Sequence, residues 1–222
     1  MTYKLKKYLV SSTLFLFLTF MPSWAGAQEN RNPYGDVLKF SAGIVAAALI
    51  HEGSHALVAG LTDTHMNWEI GTYNQPIGFT EKANSDAKGI ALYSSGLLSQ
   101  LIGSEFILQT DKVDKNDAFI RGMMAWNILN PILYSLDYWV FRMTNRKNGE
   151  KYQGDLEGIE HYANEPTAHG FALSMVAIAS YQGYRFLQTQ SWAPDWLKGK
   201  KSNLSMAPHP SGGFILTYKL AF

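Results

Sequence analysis

The 222-residue chain contains no cysteine. That absence rules out disulfides, thiolate zinc fingers and cysteine-held iron–sulfur clusters, so any metal must be bound by histidine and carboxylate. Charge is scarce too: Asp, Glu, Lys and Arg make up 17% of the chain, against roughly 25% in an ordinary soluble domain. A net charge of +1 is too small for a nucleic-acid-binding surface, and no nucleic acid is expected as a partner. What is plentiful is apolar surface. Hydrophobic residues reach 46% and aromatics 14%, which excludes a disordered chain. The length fits one domain able to bury a real core.

Residues 1–27 read as a secretory signal, or as the same segment kept as an anchor. Lys4, Lys6 and Lys7 precede an apolar run from Tyr8 to Met21, and Ala25-Gly26-Ala27 supplies the small residues of a cleavage site. The segment holds three of the 19 basic residues and none of the 18 acidic ones, so the positive balance belongs to it. The expected location is the bacterial cell envelope, integral to a membrane or, alternatively, periplasmic.

Four apolar segments follow, at 37–61, 88–109, 118–143 and 168–188. Each is about 20 residues, long enough to cross a bilayer as a helix. The expected fold is therefore mainly α, a bundle of about four apolar, transmembrane helices with membrane lipid as a partner. Arg142, Arg146, Lys147 and Lys151 after the third segment fit the positive-inside rule. Within that segment Arg121, Asn127, Asn130 and Asp137 must face the bundle interior. Residues 142–165 read as a hydrophilic loop. A short β-hairpin is expected over 65–79, turning at Asn74-Gln75-Pro76. Alternation from Phe214 to Phe222 after Pro210-Ser211-Gly212-Gly213 marks a second hairpin, over roughly 202–222. The domain division is then 28–190 for the helical body and 191–222 for the C-terminal hairpin and tail.

The chemistry resides in His51-Glu52-Gly53-Ser54-His55. Positions i and i+4 share a helix face, so two imidazoles converge on one point and can bind zinc, with Glu52 placed to deprotonate a water. Two histidines and a glutamate on an otherwise apolar helix are costly to bury without a partner. A metzincin would carry a third His at position 61, which is Leu61. The remaining candidates for a third ligand are Glu105, Asp137, Glu160, His161 and His169. Asp137 stands out, because a lone carboxylate in the apolar stretch 126–141 needs a cation or a metal.

His51 to Leu57 resembles the active-site helix of the site-2 protease family of intramembrane zinc metalloproteases. In that family a hairpin-like segment follows, then a Gly-Pro-x-x-Asn motif, then a helix with Asn and a Leu-Asp-Gly whose Asp is the third zinc ligand. Gly96-Leu97-Leu98-Ser99-Gln100 is similar to the second motif, with Leu for Pro and Gln for Asn. Asn127-Ile128-Leu129-Asn130-Pro131 with Leu136-Asp137 is similar to the third, with Tyr138 for Gly and a longer Asn-to-Asp spacing. The resemblance covers about residues 37–141. It implies a zinc metalloprotease acting on protein or peptide substrates, with His51, His55 and Asp137 as metal ligands and Glu52 as catalytic base. Gln100 and Asn127 would contact the substrate backbone or the oxyanion. The alternative is a zincin-like binding or assembly protein, membrane-bound or periplasmic, without peptidase activity.

Overall fold

The computed structural model describes residues 33–67, 78–79, 82–144, 154–194, 197–198, 204–208 and 214–218. The signal-like segment 1–27 and residues Arg146, Lys147 and Lys151 lie outside these ranges. The described residues form five helices: α1 (Pro33–Leu61), α2 (Asp86–Gln109), α3 (Ala118–Thr144), α4 (Asp155–Tyr162) and α5 (Glu165–Thr189). Among the described residues, strand is confined to two antiparallel pairs. Between α1 and α2, β1 (Met66–Asn67) lies against β2 (Gly78–Phe79), with Met66 opposite Phe79. After α5, β3 (Leu204–Pro208) pairs with β4 (Phe214–Tyr218), with Met206 opposite Leu216.

The expected bundle of about four membrane-spanning helices is corrected on two points. The described residues hold five helices, because α4 forms inside the stretch read as a hydrophilic loop. Among the described residues, only α1, over Tyr34–Leu61, is long and apolar enough to cross a membrane. The others carry too much polarity along their length: Gln100 and Glu105 on α2, Arg121, Asn127 and Asn130 on α3, Gln182 and Arg185 on α5. The architecture is one of helices, and β structure adds no layer to it.

Local chemistry sets the helix ends. α1 begins at Pro33, whose missing N–H is no loss in a first turn. It stops where Asp63 adopts φ 53° and the Thr64 N–H donates back to the Ala59 carbonyl, a Schellman closure. Ser85 caps α2, its hydroxyl accepting from the Lys88 N–H. Asp117 accepts from the Phe119 N–H at the start of α3, and Asn164 accepts from the Thr167 N–H at the start of α5.

Leu97 and Leu101 of α2, Tyr138 of α3, Leu156 and Ile159 of α4, and Ala168, Ala172 and Met175 of α5 form the main core. α1 joins from the side. A Cβ on Gly43 would stand 2.0 Å from the Phe119 carbonyl oxygen, and one on Gly122 would stand 2.0 Å from that of Phe40. Only glycine lets the α1 and α3 backbones approach this closely. The same packing leaves Leu38, Val45, Leu49, Leu57 and Leu61 exposed along α1.

Candidate metal centre

His51 and His55 lie one turn apart on the buried face of α1, so their rings meet edge to face with centroids 4.9 Å apart. Their Nε2 atoms are 3.3 Å from each other. Asp155, in the first turn of α4, completes a triangle: its Oδ2 is 3.4 Å from His51 Nε2 and its Oδ1 is 3.4 Å from His55 Nε2. All three residues are buried. Their ligand atoms are close enough together to hold one metal ion.

This changes the expected ligand set. Asp137 is not part of the group, and Asp155 stands in its place. The reason lies in how α3 faces α4. Tyr138 is the buried residue there, and its hydroxyl donates to Glu160 Oε2 at 2.6 Å, while Asp137 beside it is only half-buried. Of the other candidates, Glu105 pairs with Arg185, and His169 accepts from the Trp139 indole N–H at 2.9 Å. Glu160 and His161 lie on α4 outside the group.

α2 prepares the site from behind. The His55 Nδ1–H donates to the Leu92 carbonyl at 2.8 Å, with the Ser95 hydroxyl 3.2 Å away. Ser95 itself donates to that carbonyl at 2.7 Å. A carbonyl can only accept, so Nδ1 carries a proton and Nε2 is the atom turned toward Asp155 and His51. This is the outer-shell arrangement that orients a metal-binding imidazole. The His51 Nδ1 is buried and has no hydrogen-bond partner among the described residues.

Gly96 of α2 faces both rings. A Cβ there would lie 2.4 Å from His55 Nε2 and 2.6 Å from His51 Nε2, so a methyl group would fill the space onto which the ligand atoms converge. Burial raises the Asp155 carboxyl, but the His55 and His51 imidazoles opposite more than offset it. The group is held well below the usual carboxylate range and is ionised at neutral pH. Tyr93 of α2 is pushed up to about 12, by burial first and then by Tyr162, Asp155 and Glu157 around it.

Gln100 and Asn127 are both buried. Gln100 follows Gly96 by one turn of α2. Its Oε1 accepts from Asn130 Nδ2 at 3.1 Å, and its Nε2 has no partner among the described residues. Asn127 Nδ2 lies 3.4 Å from where a Cβ of Gly103 would stand, so it occupies the same α2–α3 seam.

No protein-family model, no curated protein and no solved structure matches the chain.

Asp155 was missed because nothing local marks it. It lies a hundred residues from the histidine motif, within a polar stretch. The faint available signal was Leu156 and Ile159, spaced i and i+3 directly after it, which mark an apolar helix face where a loop was expected.

Proposed function

We propose that this chain is a zinc-dependent metalloendopeptidase of the cell envelope, cutting peptide bonds within or beside a membrane. The observation that carries the reading is the clustering of His51 Nε2 and His55 Nε2, 3.3 Å apart, with Asp155 Oδ2 3.4 Å from the first and Oδ1 3.4 Å from the second. These separations are long for charge-assisted hydrogen bonds, which run at about 2.7–2.9 Å. The 3.3 Å between the two Nε2 atoms matches the edge of a tetrahedron whose centre is bonded at about 2.0–2.1 Å, roughly 3.3–3.4 Å, as zinc requires, and each imidazole has its own Asp155 oxygen at 3.4 Å. A proton would bridge one pair of atoms, whereas a metal ion satisfies all three. Gly96 keeps that centre clear.

Zinc in such a site supplies Lewis acidity to a water or a substrate carbonyl. Glu52 follows His51 on α1 and is partly buried beside both imidazoles. It takes the proton of the attacking water as that oxygen adds to the scissile carbonyl carbon, then returns it to the leaving amine. The Gln100 Nε2–H, one turn beyond Gly96, is a free buried donor for the carbonyl oxygen as charge develops there, with Asn127 beside it in the seam. Apolar α1, with its exposed leucines and valines, supports membrane contact.

The test is Glu52→Gln. The variant should keep wild-type zinc stoichiometry by elemental analysis and lose cleavage of a membrane-peptide library. Equal cleavage by wild type and variant would overturn the peptidase reading, and wild-type protein purified without stoichiometric zinc would overturn the metal reading.

A further inference from the structure

α2 and α4 run side by side with a matched set of large and small residues. On α2 the face is Gly89, Tyr93 and Gly96, spaced i, i+4 and i+7. On α4 it is Asp155, Gly158 and Tyr162, spaced i, i+3 and i+7. Both spacings keep three residues on one side of a helix.

The two faces interlock in opposite directions. A Cβ on Gly158 would stand 2.1 Å from the Tyr93 ring, and a Cβ on Gly89 would stand 2.3 Å from the Tyr162 ring. Each tyrosine is thus seated on the other helix's glycine, and the two rings lie 5.9 Å apart. The next step along both faces is the metal centre, where Gly96 abuts the imidazoles and Asp155 faces them. The ends of α4 are tied as well: the Asp155 N–H donates to the Tyr134 hydroxyl at 2.9 Å, and the Ala83 N–H donates to the Tyr162 hydroxyl at 3.0 Å.

We infer that Tyr93 and Tyr162, each seated on the partner helix's glycine, are positioning residues that fix the register of α4 and thereby deliver Asp155 to His51 and His55. The inference rests on the metal reading of that triad. An eight-residue helix has little stability of its own, so its placement must come from packing. A slip by one turn would carry Asp155 about 5.4 Å along the axis, out of reach of both imidazoles. Two rungs of ring-on-glycine contact exclude such a slip, because a displaced ring would meet a side chain where the glycine now stands.

The experiment is a Co2+ titration of the full chain, reading affinity and the visible absorption that marks a tetrahedral site. Gly158→Ala and Gly89→Ala should each weaken Co2+ binding by about tenfold or more, the size typical of disturbed outer-shell partners, and should lower the absorption intensity. Gly170→Ala, on α5 with nothing within 4 Å of the added methyl, should bind like wild type. Tyr93→Phe keeps the ring and should stay within about twofold of wild type. Far-UV circular dichroism reports helicity throughout. Should Gly158→Ala fail to fold, Tyr93→Leu carries the test, with weakened binding expected at retained helicity. Wild-type affinity in Gly158→Ala and Gly89→Ala, or in a folded Tyr93→Leu, overturns the inference and leaves the metal reading standing. Absence of Co2+ binding by the wild-type chain overturns both.

Discussion

Two polar clusters lie between helices in this protein, one partly exposed and one buried, and their charges balance in different ways. At the α2–α5 seam, Glu105 receives Arg185 Nη1 at 2.8 Å on both carboxylate oxygens, Gln109 at 2.8 Å and Gln182 at 3.2 Å. Gln182 also donates to the Leu101 carbonyl at 3.0 Å. Anion meets cation and three donors meet the carboxylate, although the Gln182 Oε1 has no hydrogen-bond partner among the described residues. At the α1–α4 junction, two imidazole Nε2 atoms and an ionised carboxylate face one another across 3.3–3.4 Å. The His55 Nδ1 is committed to Leu92, and the ligand atoms that remain are close enough together to hold a metal ion. A buried polar group costs free energy unless it is paired. The seam is held by the chain's own ion pair, while the junction brings together a group that could hold a metal ion. The difference separates a structural clasp from a site.

The sharpest way to break this contrast is to remove the cation. Stripping zinc with a chelator should destabilise the wild-type chain by about 4 kcal/mol when free zinc stood at a thousand times Kd. Calorimetry should show this as a drop in Tm, and the Asp155→Ala variant, weakened about a hundredfold, should show a loss of only about 1.4 kcal/mol at the same free zinc. Replacing ligands comes next. Asp155→Ala should weaken zinc binding by about a hundredfold or more in competition with a chromophoric chelator, whereas Asp137→Ala should leave it unchanged. The reverse ranking would restore Asp137 as the third ligand. Gly96→Ala should cost about tenfold or more in the same assay, since its methyl group enters the space between the imidazoles.

The seam should give the smallest effect and a different signature. Arg185→Ala should cost about 1–2 kcal/mol in denaturant unfolding, because the pair is partly exposed, with zinc affinity untouched. Its pH dependence has a definite sign. Burial raises the Glu105 carboxyl, but Arg185, Gln109 and Gln182 more than offset it, so its folded pKa lies below the ordinary 4.5. A depressed acid contributes stability that is complete above 4.5 and is lost as pH falls through the folded value. Arg185→Ala should flatten that acid-side loss.

The histidine motif is legible in the chain because an α-helix turns an i, i+4 spacing into a shared face without help from anything distant. His51 and His55 needed only the helix, and the helix needed only Pro33 at its start, an apolar run and the closure at Asp63 and Thr64. The membrane-spanning bundle was overread for a related reason. The length of α2, α3 and α5 matches that of α1 closely, but Gln100, Glu105, Asn127, Gln182 and Arg185 leave those three short of the apolarity that α1 has, and length alone does not weigh such residues. A polar residue inside an apolar segment has no assigned neighbour until the helices pack.

The missing cysteines had already restricted any metal to histidine and carboxylate, and composition together with local spacing named two of the three candidate ligands. The third was decided by packing alone. Asp155 reaches the imidazoles because Tyr93 and Tyr162 seat α4 on α2, and Gly96 leaves the space they converge on. Local order within one helix depends on residues a few positions apart, which a sequence displays directly. The meeting of α1 with α4 depends on surfaces a hundred residues apart, and their complementarity exists only once the chain has folded.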